Sequence, residues 1–330
     1  MLRIFHNTNY DFIKPWRIAV GFTIAFYLAG AIAMAMRGGL NYSIEFTGGT
    51  LVQLEFQQPP NAADVRSTVE AAGFPGAEIQ QFGSNREYTV RAVGTEASQA
   101  SQANVGSVAA QIEAGLQRKY GATAARVVRS EAISPRVGEE LRANAVKALL
   151  LSLLVTLAFL AYRYDWRFGV AAVIATGHNL AATLAFMSLM NLEVSLTVVA
   201  ALLTVIGYSL NDTIIIFDRV RENLRKARPE PLPLVLNRAI NETLPRSILT
   251  HATVALAILA LLLFAGEVIR PFSWIMLFGV VTATFSSIYI AGQVLLWIEH
   301  RWPRERSGMT PTAGGDVKRP APVRTAASVR

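Results

Sequence analysis

Asn211 and Asp212 lie inside an apolar run of about 23 residues, 195–217, which at 1.5 Å per helical residue just crosses a bilayer core of roughly 30 Å. A charged residue at the centre of such a helix costs about 2.5–3.5 kcal/mol, so it faces other helices or a wet cavity rather than lipid. Thr204, Tyr208 and Asp212 recur at intervals of four, sharing one helical face with Asn211 beside them. In the next apolar run Arg246, Thr250 and Thr253 share a face, with Ser247 and His251 adjacent. Thr176, Asn179 and Thr183 form a third polar stripe, and Thr282, Ser286, Tyr289 and Gln293 a fourth. Such stripes are what a buried polar path between packed helices requires, because hydroxyls and amides facing lipid go unsatisfied. A desolvated carboxylate in that path can take a proton from one side and release it to the other when its surroundings change, which makes Asp212 the natural ion carrier. Arg246, if it approaches Asp212, favours the charged form; the alternative is that the two simply pair as glue between helices. His178 is a further intramembrane group able to titrate, although a lone histidine there more often packs through hydrogen bonds.

The elements that position these residues follow from hydropathy. Half of the 330 residues are hydrophobic and the mean hydropathy is +0.35, values that fit an integral membrane protein with a modest extramembrane domain. The formal charge of +8 does not point to nucleic acid, because arginines crowd the ends of apolar runs, where they orient membrane helices. Six spans are expected, at 17–36, 141–162, 168–190, 194–217, 248–265 and 272–298. The first is longer than the 7–15-residue core of a signal peptide, which favours an uncleaved anchor. Residues 1–16, 163–167, 218–247 and 299–330 carry the arginine excess, which places them, and both termini, in the cytoplasm. An apolar-sided stretch at 232–240 after a proline-rich breaker suggests a short interfacial helix, and the Pro-, Gly- and Thr-rich tail a disordered segment.

Residues 37–140 read as a small α+β domain, ferredoxin-like and periplasmic, between the first two spans. Ser43 to Phe46 and Thr50 to Phe56 read as strands around Thr47-Gly48-Gly49, a structural turn. Asn61 caps a helix to about Ala72, strands follow at 77–82 and 87–93, then a helix at 98–120 and a last strand at 122–133.

There is no cysteine, and no GxxxxGK[ST], HExxH or G-x-S-x-G occurs. The reading is therefore a chain that is not an enzyme, with no ATPase motif, no cofactor and no metal site.

Three motifs resemble the SecF branch of the SecD/SecF family of bacterial protein-export subunits, over residues 10–300. Tyr42-Ser43-Ile44-Glu45-Phe46-Thr47-Gly48-Gly49 is similar to that family's G-hydrophobic-D-F-T-G-G, and Ile133 to Leu141 to its V-G-P-x-V-G-x-E-L. Gly207-Tyr208-Ser209-Leu210-Asn211-Asp212-Thr213, continuing to Phe217-Asp218-Arg219-Val220-Arg221-Glu222-Asn223, is close to its most specific signature, and Asn241 to Thr250 to the start of its fifth span. The resemblance implies a polytopic inner-membrane protein of the resistance-nodulation-division-like superfamily. It implies SecD, the SecYEG channel, YajC and the emerging unfolded preprotein as partners within the lipid bilayer. It also implies use of the proton or sodium gradient to complete export, with Asp212 as ion-coupling carboxylate and Arg246 as its basic partner. Asn211, Tyr208, Thr204, Thr250, His251 and Thr253 are the supporting polar path. The chain departs from the pattern at Ser43, Glu45, Ser134 and Arg136, and His251 stands where a small Ser is usual. Two other classes are half of a small-molecule or lipid exporter, for which a domain of about 100 residues is small, and a passive membrane scaffold.

Overall fold

Strand Gly49–Phe56 (β1) alternates buried and half-buried residues along its whole length, the period of a sheet with one covered face. In the computed structural model, which describes residues 8–92, 105–121, 124–226, 230–266 and 268–303, β1 pairs antiparallel with Glu87–Ala92 (β3) on one side and Ala125–Ile133 (β4) on the other. Glu78–Gln81 (β2) pairs antiparallel with β3, giving the order β2-β3-β1-β4. Helices Ala62–Ala71 (α3) and Val105–Tyr120 (α4) bury Val65, Val69, Ile112 and Leu116 against Val52, Leu54, Phe56 and Val90 of the sheet. Each fully buried side chain of this kind contributes about 1.5–3 kcal/mol. The Asn61 side chain accepts from the Ala63 N–H and caps α3 as its residue type predicts. The expected start of the second helix, 98–104, lies outside the described residues.

The resulting βαββαβ order is the ferredoxin-like one. It corrects the expected strand at Ser43 to Phe46. Ile44–Thr47 is a single helical turn (α2), with Ile44 and Phe46 buried and Phe46 packed into the core of the membrane helices. Gly48 follows at φ 72°, ψ 171°, a backbone region essentially reserved for glycine. A Cβ on Gly48 would lie 2.6 Å from Pro135 Cα, and one on Gly138 would lie 3.0 Å from the Gly48 nitrogen. The two motifs that flank the small domain in sequence are therefore packed on each other.

Among the described residues six helices are long and apolar enough to cross a membrane. The first is Trp16–Met36 (α1). Pro135–Arg163 (α5) starts at a Ser134 cap with proline in its first turn, so the second span grows directly out of β4. Trp166–Met190 (α6) and Leu196–Lys226 (α7) follow. Leu232–Phe264 (α8) is one continuous helix around Pro245, so the stretch 232–240 is its beginning and not a separate short helix. Arg270–Ser286 (α9) passes through a π turn, Ser287–Ala291, into Gly292–Arg301 (α10). The helix thus runs past 298, and the tail beyond residue 303 lies outside the described residues.

Helices α6, α7 and α9 are the most buried, and α1 and α5 present mostly exposed apolar side chains. Small residues set the close approaches. A Cβ on Gly30 of α1 would run into Ala185 of α6, and one on Gly279 of α9 into Val205 of α7. Residues 8–15 lie across the start of α8, where the side chains of Asn237 and Asn241 bond to the backbones of Tyr10 and Phe12 at 2.8–3.0 Å.

Replacing Gly48 by Ala is expected to cost about 1–3 kcal/mol through the backbone region alone, with the Pro135 clash added. Gly177→Ala, at an open helical position, should be neutral or stabilising. Thermal unfolding in detergent reports both; equal melting temperatures for Gly48→Ala and wild type would contradict the packing described.

Candidate functional site

Asp212 is 1% exposed, on the inner face of α7. That burial follows from spacing, since Ser209, Asp212, Thr213 and Ile216 fall on the side of α7 turned to its neighbours. Its Oδ2 lies 3.3 Å from Nε2 of His251 on α8, an ion-pair distance without the alignment of a hydrogen bond. His251 is itself 7% exposed. The other ring nitrogen, Nδ1, contacts the Thr284 hydroxyl of α9, which is also 3.3 Å from the Val280 carbonyl one turn earlier. The Tyr208 ring stands 5.1 Å from the imidazole, one turn before Asp212. Ser247 Oγ reaches toward Asp212 without completing a hydrogen bond.

Three helices thus meet at one carboxylate, and the site is under-satisfied. Asp212 Oδ1, Tyr208 Oη, Ser209 Oγ and Ser247 Oγ are buried and find no protein hydrogen-bond partner. Each such group ordinarily costs about 1–3 kcal/mol, so their concentration on one patch needs a functional reason. Just below, Thr213 Oγ1 and Ser287 Oγ bond at 2.8 Å, joining α7 to the π turn. The adjacent Ser286, about 100° round the same helix, donates to the Ala175 carbonyl of α6 at 2.7 Å.

Of the residues expected in a polar path, the structure brings together Asp212, His251 and Tyr208. Thr204, Asn211, Arg246 and Thr253 are exposed on the outer faces of α7 and α8, and Thr250 is half-buried. Thr204, Thr250 and Thr253 donate to carbonyls of their own helices. Arg246 forms no ion pair with Asp212; its charge acts on the carboxylate only from a distance. The stripe on the third span packs against the sixth, with Asn179 Nδ2 3.5 Å from the Gly279 carbonyl. His178 ties α6 to α1, its Nε2 3.3 Å from Thr23 Oγ1 and its carbonyl accepting from Tyr27 at 2.8 Å. Sequence reasoning missed Thr284, Thr213 and Ser287. Thr213 could have been found from its place beside Asp212. Among the described residues no three His, Asp or Glu side chains converge as metal ligands.

The charged end of the fourth-span signature has a structural task. Arg219 bonds Glu242 and Glu222 at 2.6 Å, Asn223 Nδ2 bonds Glu242 at 2.8 Å, and Asp218 accepts from Tyr164 at 3.1 Å. The contacts to Glu242 clamp α7 to α8 beyond the apolar zone, and Tyr164 ties α7 to the link between α5 and α6.

At the opposite end of α7 the small domain is seated on the membrane helices. Glu45 accepts from the Leu196 N–H at 2.6 Å, placing a carboxylate at the positive end of that helix. Arg91, buried on β3, bridges Glu78 at 3.0 Å and Glu193, between α6 and α7, at 2.5 Å. Burial pushes the Glu193 carboxyl up from its ordinary range, against the opposing pull of Arg91.

A family model described as protein export membrane protein SecD/SecF, C-terminal, matches residues 113–301, and one for the SecD/SecF GG motif matches residues 33–60. The chain is 59% identical over 305 residues to protein translocase subunit SecF of Gemmatimonas aurantiaca, covering 92% of this chain and 91% of that one. It is 37% identical over 309 residues to protein translocase subunit SecDF of Thermus thermophilus, covering 91% of this chain and 40% of that one. The crystal structure of SecDF, a translocon-associated membrane protein from Thermus, superposes with a TM-score of 0.78 at 36% identity, over 89% of this chain and 39% of that chain.

The seat of the small domain is separately testable. Arg91→Ala leaves the half-buried Glu193 without its cation and is expected to cost about 1.5–3 kcal/mol. Glu193→Gln removes the charge that burial opposes. At neutral pH it should therefore leave stability equal to or above that of wild type. Because the folded-state value is raised, the contribution of the protonated Glu193 is fully present below the ordinary glutamate range and lost as pH rises through the raised value. The gap between Gln and wild type should thus close on acidification, as measured by protease resistance of the domain across pH.

Proposed function

The chain belongs to the SecD/SecF family of protein-export membrane proteins, and from that premise we propose that it couples an ion gradient to the late steps of preprotein export through Asp212. It is a multi-pass membrane protein and an accessory subunit of the Sec translocase, and it associates with SecD, the two being a single chain in the Thermus relative. The finer reading places it in the bacterial inner membrane with both termini cytoplasmic, the α+β domain in the periplasm, and SecYEG, YajC and the emerging preprotein as further partners. The excess of arginine at the expected inner segments supports that orientation. It does no chemistry of its own on this reading, and the gradient supplies about 2.3 kcal/mol per charge for every 100 mV.

The observation that carries the reading is a carboxylate 1% exposed at membrane depth, held by one imidazole and left with an unpaired oxygen. Neither pure packing nor a stable ion pair explains that arrangement, since a buried charge is stabilising only when its lone pairs are satisfied. Outside it, Thr204, Gly207 and Asn211 of α7 and Arg246 and Thr253 of α8 form an exposed polar face at membrane depth. Lipid cannot satisfy the Asn211 amide and the Arg246 guanidinium, which supports the assignment of this face to SecD.

Asp212→Asn keeps the shape and removes the titrating proton. In inverted membrane vesicles with equal levels of the assembled complex, it is expected to reduce gradient-dependent completion of translocation to the level seen when the gradient is collapsed. SecA-driven translocation should persist. Unchanged gradient-dependent translocation would instead favour a passive scaffold.

A further inference from the structure

At the end of the membrane helices away from the small domain, three arginines have carboxylate partners: Arg219 is held by Glu222 and Glu242, Arg167 by Asp165 and Glu299, and Arg238 by Glu230. Three others are not neutralised in this way. Arg163, the last residue of α5, and Arg225, near the end of α7, pair with no carboxylate among the described residues, and Arg221 reaches Asp218 only at 3.9 Å. These three guanidinium groups line one open cleft of about 400 Å³ between the ends of α5 and α7. Two carboxylates share it, and both are engaged: Asp218 accepts from the Tyr164 hydroxyl at 3.1 Å and Glu222 from Arg219 at 2.6 Å. Tyr164 also gathers the cations, with Arg163 Cζ 5.2 Å and Arg221 Cζ 4.9 Å from its ring centroid. Two like charges drawn to one ring repel each other, and an anion between them offsets that repulsion. A guanidinium is a planar fork that matches phosphate oxygens in pairs, so three of them on one cleft suit a phosphate.

The surface that leads to the cleft indicates what carries the phosphate. Leu150, Leu151, Leu154, Val155 and Phe159 of α5 are exposed, and Tyr162 is 92% exposed immediately before Arg163. From Leu151 to Arg163 the helix rises about 18 Å at 1.5 Å per residue, close to the depth of one leaflet of a core roughly 30 Å thick. The Ser152 hydroxyl within this stretch donates to the Leu149 carbonyl of its own helix at 2.8 Å and asks nothing of a partner. Tyr162 and the half-exposed Trp166 stand on either side of Arg163 as aromatic residues do at a membrane boundary. The outer face of α7 and α8 is different, because Asn211 and Arg246 there need a polar neighbour. We propose that Arg163, Arg221 and Arg225 bind the headgroup phosphate of an anionic phospholipid whose acyl chains lie along the exposed face of α5. The ammonium of a zwitterionic headgroup is repelled by three cations, which selects lipids of net negative charge. The bound lipid joins the end of α5 to the end of α7, and its place is independent of the group that carries the coupling ion.

The test uses the full chain purified with its SecD partner in detergent. Dioleoyl phosphatidylglycerol and dioleoyl phosphatidylcholine are added in equal amounts, and bound lipid is counted by native mass spectrometry. Wild type should retain phosphatidylglycerol in preference to phosphatidylcholine, and a large excess of inorganic phosphate should not displace it. Arg163→Gln and Arg225→Gln remove cations that have no carboxylate partner among the described residues, and each should lower the preference about fivefold. Arg142→Gln is the control, since Arg142 lies 4.6 Å from the Tyr42 ring near the other end of the same helix, and it should leave the preference unchanged. The same spectra report whether SecD stays attached. Equal retention of the two lipids by wild type overturns the proposal without any variant having to fold. An equal fall in Arg142→Gln also overturns it, because the attraction is then a general one between basic boundaries and anionic lipid. Displacement by inorganic phosphate reduces the cleft to a site for free anions. Release of SecD from Arg163→Gln or Arg225→Gln, with the lipid count unchanged, gives the cleft to an acidic segment of the partner instead.

Discussion

A carboxylate buried among membrane helices is the constraint on which the rest of this structure depends. Asp212 cannot face lipid, so α7 must be covered on that side by helices that bring partners for it. Helix α8 brings His251 and Ser247, and α9 brings Thr284. The covering has to be close to exclude lipid, and the small residues do that work: Gly279 lets α9 lie directly on Val205, one and two turns from the site. A larger residue at 279 would push α9 off α7 and separate Thr284 from His251. The geometry of the site is thus set by backbone approach, and its chemistry by three side chains on three helices.

The last helix is tied to two neighbours in the same way. Ser286 and Ser287 are consecutive and therefore point about 100° apart around the helix, so that Ser286 holds α6 while Ser287 holds Thr213 of α7. One helix is therefore anchored to two neighbours on consecutive residues, and the polar groups of both sides are satisfied within an apolar zone.

How far these features could be read in advance depends on whether they were local. The small domain was legible because strand alternation and the Asn61 cap are written within a few residues of where they act. The exception, Ser43 to Phe46, has strand-like composition but is turned into a helical capping segment by Gly48 and by burial of Phe46 against distant helices, a tertiary effect. Asp212, His251 and Tyr208 were legible from intervals of four and adjacency. Thr204, Asn211 and Thr253 were placed on the right helices but on the wrong side of them, because periodicity identifies a polar face without saying what covers it. Arg246 is the same case: its charge was visible, but its direction away from Asp212 depends on the rotation of α8 about its axis.

The site and the small domain are joined by one element. Helix α7 begins at Leu196, whose N–H is held by Glu45 of the domain, and reaches Asp212 sixteen residues later, about 24 Å along the axis at 1.5 Å per residue. Its lower end is clamped to α8 by Arg219, Asn223 and Glu242. Near its upper end Arg91 and Glu193 tie the sheet to the loop that precedes it. A helix held at both ends and packed along its length moves as a rod, so a change in how α7 sits against α8 and α9 cannot stay at Asp212. If Asp212 takes up the coupling ion as proposed, the charge that His251 faces is neutralised, and a shift of α7 that follows is passed to Leu196, where the bond from Glu45 ties the helix to the domain.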